Sequence, residues 1–544
     1  MEVPQAMNLF DEPWIPVRWL PGQDGPESVG FRGLLERCQH IEALDVPLAA
    51  AQSALLRVLY ALTARVTKLD QERRHYEDQD DQDRDAQDQD DRDRNGDWMH
   101  RRARILKHRA LPQGGIENYI SQRHERFFLF DDATGRPWLQ DSRLADECTE
   151  STGVNKLVMT RPSGNNHSWF GHVRDSAPRP PSAATAVPYL LMWHYYGAPG
   201  KCTARALHGE RISEAKRGPL FSSLSYHPEG DSLLVTLLAG LVRPGTEVRR
   251  EEDLCPWERD EPTDPAGAPP VPVGPCGWWT DTSRHALLLQ PDARRERVTN
   301  ARITWAYRLP GAFDDPYLIW ERRLDKNKPG EEIRTARRAK ANRALWRDLD
   351  GLLLHRPPEA DGEETTLEPP KVFATAVELT EQLRVRALGF DQNKAKNTQL
   401  VSGLTSATVG HLSDRFPDAQ VAVGRLRRLG ERYGENLTEA VRKAWALYTR
   451  GDPKHAGKLV PQAEALYWPA AEREFWIRFD HLDRTGKDPD GGLDIRAARD
   501  AFLGLAREAY ARTTEPLTRT VRGNQAVLDA RGLLWMTRPE RKNK

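Results

Sequence analysis

From Pro162 to Gly218 the chain reads PSGNNHSWFGHVRDSAPRPPSAATAVPYLLMWHYYGAPGKCTARALHGERISEAKRG. Its apolar run, Ala186 to Tyr196, predicts a short helix held between two loops rich in Pro, Gly, Asn, Ser, Arg and Lys. Loops of this size inside a compact protein are functional or disordered. Here Trp169 and Phe170 stand among Arg174, Arg179, Lys201, Arg205, Arg211, Lys216 and Arg217. That composition can stack on bases and neutralise phosphates, and it also suits a plain surface loop with solvated charges.

Outside this stretch the composition is balanced. The chain has 544 residues, with 80 Lys and Arg against 80 Asp and Glu, so any basic surface must be local. The length allows about two to four domains. Five cysteines (Cys38, Cys148, Cys202, Cys255, Cys276) lie far apart, with no signal peptide and no apolar run long enough to span a bilayer. A reducing, cytoplasmic, membrane-free setting is the expectation. No CxxC or HxxxH pair occurs, so neither a metal nor another cofactor is expected. No P-loop, ordered nucleophile-base-acid set or carboxylate pair at motif spacing is found.

Around the central stretch, Trp14 to Val17 reads as a proline-bounded edge strand. The run Pro47 to Lys68 reads as a core helix with Arg57, Arg65 and Lys68 off its apolar stripe. The tract 75–97 is acidic, low in complexity and expected to be disordered. Arg126 to Asp141 reads as strand, turn at Thr134-Gly135, strand. Leucines from Leu233 to Leu241 predict a helix after an Asp231 cap. Alternation at Ile303, Trp305 and Tyr307 predicts a strand with Arg302, Thr304 and Arg308 on its polar side. Arg334 to Arg356 reads as a helix with a basic start, and Leu383 to Leu404 as a hairpin with its polar turn at Asp391 to Asn397. After Thr405 come four amphipathic segments broken at Gly451-Asp452-Pro453 and at Asp488 to Gly492. They predict a four-helix bundle over 405–544, following a mixed domain over 1–404, an α+β architecture.

The opening MNLFDEPWIPVRWLPG, Met7 to Gly22, resembles the N-terminus of CasA, the large subunit of the type I-E CRISPR surveillance complex Cascade. VNKLVMTRPSGNNHSWFGH, Ala198-Pro199-Gly200, the strand at Arg302, the hairpin and the helical C-terminus follow in that family's order. The resemblance implies a subunit without catalysis that recognises the protospacer-adjacent motif (PAM) of double-stranded target DNA. It also implies help in opening the duplex for R-loop formation and recruitment of a separate helicase-nuclease. The implied partners are CRISPR RNA, target DNA and the backbone, small and handle-binding subunits of the complex. By the same resemblance Trp169, Phe170, Gly171, His172, Arg174 and Arg179 belong to a loop reaching the guide RNA and the backbone subunit. Gly200 matches the opening of a glycine-rich loop lying against the PAM, Lys201, Cys202 and Thr203 stand where that loop has further glycines, and Arg302, with Asn300 second to it, stands where a lysine enters the minor groove. Gln392, Asn393 and Lys394 form the tip that wedges the duplex apart. Two other classes stay open: a hydrolase whose His, Asp and Ser residues meet only in three dimensions, and a helical scaffold that binds proteins alone.

Overall fold

The computed structural model describes residues 7–72, 98–130, 135–161, 173–280, 284–308, 314–325, 328, 330–352, 365–380, 382–393, 397–406, 417–482 and 491–535. The acidic tract 75–97 and residues Trp169 to His172 lie outside them. The chain divides into two compact units: Met1–Leu318 with Arg337–Ala341 and Ala374–Ser402, and Ile319–Ala336 with Asn342–Phe373 and Gly403–Lys544.

In the first unit, β1 (Ile15–Trp19) lies between β2 (Ser28–Val29) and β3 (Ile41–Leu44), antiparallel to both. The expected edge strand is therefore the middle one. Its proline is tolerated because β2 is only two residues long and the Pro16 carbonyl still accepts from Asp45 N. Helix α1 (Phe31–Arg37) sets Phe31 against Phe10, Trp14, Phe127 and Trp138. This aromatic cluster explains why Arg126 to Asp141 is not the expected hairpin. His124–Phe127 coils as one 3-10 turn to bury Phe127, and Phe128 makes only an isolated bridge to Asn8.

Helix α2 (Ala49–Thr67) is buried on nearly every face, so its arginines cannot lie on a wet side. Arg57 and Arg65 are instead buried in ion pairs, Arg57 with Asp315 at 2.7 Å and Arg65 with Asp70 and Glu258. A charge withdrawn from water needs such partners. After α3 (Trp98–His108) and α4 (Gln113–Arg123), α5 (Ala183–Tyr196) packs on α2. It starts three residues before the expected helix because Ser182 Oγ caps the amide of Thr185.

The chain leaves α5 as a hairpin, β4 (Gly200–Leu207) and β5 (Glu210–Ala215), where a loop was expected. Next come β6 (Leu224–Glu229) and α6 (Leu233–Ala239), whose cap is Ser232 rather than Asp231. β7 (His285–Pro291) and β8 (Val298–Trp305) form an antiparallel pair. Ile303 and Trp305 are buried and Arg302 half-buried as the alternation expected, but Thr304, expected on the polar side, is fully buried because its hydroxyl donates to the Thr203 carbonyl.

The second unit contains β9 (Trp320–Leu324), flanked by β10 (Glu332–Ala336) and β11 (Thr365–Glu368). β10 begins the stretch expected as a basic helix. Its Arg334 lies 4.0 Å over the Trp320 ring and pairs with Glu368 at 2.9 Å, cross-strand contacts that outweigh local helix propensity. Among the described residues of that stretch, Leu345–Gly351 then coils, as a 3-10 helix.

β12 (Arg384–Asn393) lies between β6 and β13 (Asn397–Leu404), the two strands the hairpin reading expected, but Asp391 to Asn393 and Asn397, expected in the turn, belong to the strands, and 394–396 lie outside the described residues. The second unit ends in α7 (Pro417–Thr449), α8 (Leu459–Asp480), α9 (Ile495–Thr514) and α10 (Val521–Arg531). α7 packs against the other three, and α8 against α9, giving the α+β chain its helical C-terminus. No helix among the described residues is long and apolar enough to cross a membrane.

Candidate nucleic-acid interface

Gly200, at the start of β4, has φ +122°, a backbone that L side chains rarely adopt, and a Cβ there would meet nothing within 4 Å. Glycine is thus needed by the backbone turn, and the space before it is open. From Gly200 the strand alternates: Lys201 is exposed, Cys202 half-buried, Thr203 and Arg205 buried. The β4–β5 register breaks in this short span. Lys201 faces Glu214 and Arg205 faces Ile212, so β4 advances four residues while β5 advances two. The surplus makes a bulge at Cys202 to Ala204, a device that re-aims side chains.

That bulge lies on β8. Thr304 Oγ1 donates to the Thr203 carbonyl at 2.6 Å and lies 3.6 Å from Cys202 Sγ. Thr152 Oγ1 bonds Thr203 Oγ1 and accepts from Ile303 N at 2.8 Å, while Thr152 N donates to Ala301 O. Arg302, two residues from Thr304, rests its Nε on the Cys148 carbonyl at 3.3 Å. The structure therefore brings Gly200 to Thr203 and Arg302 into one neighbourhood, with Lys201 as its exposed cation.

The hairpin is tied to the end of α5, the helix that leads into β4. Gln392 is buried, its Oε1 accepting from Ser222 N and its Nε2 donating to Tyr196 O at 3.0 Å. Tyr196 ends α5, four residues before Gly200. Gln392 thus stands near the turn end of the hairpin but anchors it from within, its amide already occupied rather than displayed. Lys394 lies outside the described residues, and Asn393 is placed by its backbone alone, as the last residue of β12. Of the other loop, Arg174 and Arg179 are exposed, and the Arg179 carbonyl accepts from Arg161 Nη1.

Electrostatics fix the support. Burial pushes His285 down to about 4, against its hydrogen bond to the Ala198 carbonyl, so a neutral imidazole holds the turn into β4. Burial likewise raises the Cys202 thiol, which is therefore a packing group rather than an anion. For Asp141, burial pushes the carboxyl up, but hydrogen bonds and charge from Arg143 and Arg205 outweigh it and hold the group low.

Sequence reading counted Arg205 only among the loop's cations, whereas it is buried and paired, and it missed Asp141, Glu147 and Thr152. Alternation through Gly200 to Leu207 was the available signal, hidden when those residues were assigned to a loop. The sequence also left a Ser–His site open, and Ser53 Oγ does lie 3.4 Å from His227 Nε2. Both are fully buried, and Ser53 Oγ already accepts from Arg57, so this pair offers no nucleophile to a substrate.

Comparison with known proteins agrees with the architecture. The family model for "CRISPR-associated protein Cse1" matches residues 8–513. A "CRISPR-associated protein CasA/Cse1" from Thermus thermophilus is 26% identical over 533 residues, covering 94% of this chain and 92% of its own. A chain of a solved "CRISPR RNA-guided surveillance complex" is 31% identical with a TM-score of 0.79, covering 98% of this chain and 100% of its own. The crystal structure of Thermobifida fusca Cse1, 18% identical with a TM-score of 0.72 over 98% of each chain, shares the fold. A single family model runs from β1 through α9, and the chain therefore belongs to the CRISPR-associated protein Cse1 family.

Proposed function

We propose that this chain is the large, non-catalytic subunit of a CRISPR RNA-guided surveillance complex, and that its β4 bulge and β8 recognise the PAM of double-stranded target DNA. In this reading the guide RNA selects the target by base pairing, and the protein finds a short duplex signal and helps open it. The observation that carries it is the convergence of Gly200 to Thr203 with Arg302 around Thr304, in a chain whose family assembles on guide RNA in the solved relative.

Lys201 and Arg302 supply cations to a narrow, negative groove, and the open space before Gly200 admits a backbone. Minor-groove edges carry a degenerate code, so such a reader tolerates several flanking sequences. Asn393 and Lys394 act as the wedge, with Gln392 securing the hairpin beneath them. Separating one base step costs a few kcal/mol, offset by contacts to the parted strands. The loop with Trp169 to His172, Arg174 and Arg179 meets the guide RNA and the backbone subunit, and the completed R-loop recruits the helicase-nuclease.

The test is target capture by guide-loaded complex. Arg302→Ala and Lys201→Ala should each weaken binding to duplex by about fivefold to a hundredfold, one lost groove contact being worth ~1–3 kcal/mol. Duplex bound as tightly by both variants as by the wild type would contradict the assignment.

A further inference from the structure

Arg205 has no place in the reading above, yet it is the most heavily engaged cation on β4. Its side chain is fully buried. Nε and Nη2 meet Glu147 Oε2 at 2.6 Å, Nη2 also meets Asp141 Oδ2 at 2.9 Å, and Nη1 donates to the Trp305 carbonyl at 3.2 Å. The guanidinium carbon lies 5.2 Å over the Trp305 ring. One side chain thus ties three separate pieces together: β4 directly after its bulge, the last residue of β8, and the segment Asp141 to Glu147. That segment is itself moored, since Asp141 N donates to Leu287 O on β7 and the Cys148 carbonyl receives Arg302 Nε.

This arrangement exceeds what is needed to keep a two-stranded hairpin folded. A bulge with two surplus residues has several possible shapes, and side chains on it are re-aimed as it shifts. Here it is pinned at its far end by Arg205 and in its middle by Thr203, with Thr152 and Thr304 as partners. Arg302 hangs from the same segment that holds Arg205. Loosening the Asp141–Arg205–Glu147 lock would free the bulge beside exposed Lys201, while half-buried Arg302 keeps its own bond to the Cys148 carbonyl.

We propose that Arg205 is a positioning residue for duplex recognition, fixing the Cys202 to Ala204 bulge so that Lys201 is presented beside Arg302. This rests on the reading of β4 and β8 as the duplex contact. Only arginine suits the task, because its planar fork serves three acceptors at once while lysine is a point donor.

The test uses guide-loaded complexes carrying the wild-type chain, Arg205→Lys, Glu147→Gln, Lys201→Ala or Arg302→Ala. Each is titrated with three DNAs: a target duplex bearing the short flank that the wild type binds best among all flanks, the same duplex with that flank scrambled, and a target already opened across the protospacer. Arg205→Lys and Glu147→Gln should lower the ratio of the first two affinities about tenfold. Capture of the opened target should stay within about twofold, since it bypasses the duplex signal. Glu147 is partly exposed, so its amide variant reports even if Arg205→Lys fails to assemble. A parallel fall in all three affinities would mean a structural role only and overturn the proposal. So would an unchanged ratio in Arg205→Lys and Glu147→Gln while Lys201→Ala or Arg302→Ala lowers it. If Lys201→Ala and Arg302→Ala also leave the ratio unchanged, the duplex reading itself fails and the role of Arg205 falls with it.

Discussion

Arg57 stands in the middle of α2 with no exposed surface, donating to Asp315 at 2.7 Å, to Ser53 and to Ser225. Arg57→Met would leave Asp315 buried without its cation, at a cost of about 3–5 kcal/mol in urea unfolding, and Arg57→Met with Asp315→Leu should recover most of it. An unchanged midpoint for the single variant would contradict the pairing. The sequence could show that Arg57 lay off the main apolar stripe; it could not show that another element covers that side, because Asp315 is 258 positions away. Gln392 is the same lesson inverted, a polar residue in a turn-like run that turns out to be consumed by Ser222 and Tyr196.

The buried imidazoles give a pH dependence. His194 and His285 are both pushed down to about 4, chiefly by burial. Their unfolded value is near 6.5, so between about 6.5 and 4 the unfolded chain binds more protons. The stability each contributes is complete above pH 6.5 and falls as pH drops toward 4, by on the order of 3 kcal/mol each. His194→Gln, whose amide can still donate to Leu139 O, should therefore lose ground to the wild type at pH 7 and close much of that gap at pH 4.5. A gap independent of pH would refute the neutral buried imidazole.

At the scale of elements, α7 shows how packing overrules propensity. Gly430 and Gly434 sit one turn apart on this 33-residue helix, where glycine costs about 1 kcal/mol against alanine. A Cβ on Gly430 would come within 2.6 Å of Trp346, and one on Gly434 within 2.2 Å of Trp468. Trp468 in turn stacks under Arg347 at 3.6 Å, and Arg347 pairs with Glu431 at 2.7 Å. Gly434→Ala should thus destabilise the second unit by about 1–3 kcal/mol through overpacking, despite the better helix former. Stabilisation in a thermal melt would show that Trp468 can move freely.

The four C-terminal helices were legible because each carries its own apolar periodicity over several turns. β4 and β10 were not. Each pairs with a near neighbour, β4 with β5 and β10 with β9, but their further support comes from residues distant in sequence, Thr304 for Thr203 and Glu368 for Arg334. Glycine, proline and basic residues around them gave only turn and helix signals, which pairing overrode.

For the molecule as a whole, formal neutrality means that recognition of a polyanion must be local. The candidate site meets that condition with few side chains: exposed Lys201, half-buried Arg302 and an open approach at Gly200, on strands held by buried Arg205, Thr203 and Thr304 and their partners. Gly200 and Arg302 were chosen from their order along the chain, and what the structure adds is that β4 and β8, which carry them, lie against each other. The scaffold of Asp141, Glu147, Thr152 and Arg205 was not legible, because no motif spacing links residues that meet only through bulge geometry.

The most direct test is site-specific photo-crosslinking, with a benzophenone amino acid in place of Lys201 in the guide-loaded complex bound to labelled target duplex. The account predicts crosslinks to base pairs immediately flanking the protospacer. Crosslinks confined to protein, or to the guide RNA, would contradict it.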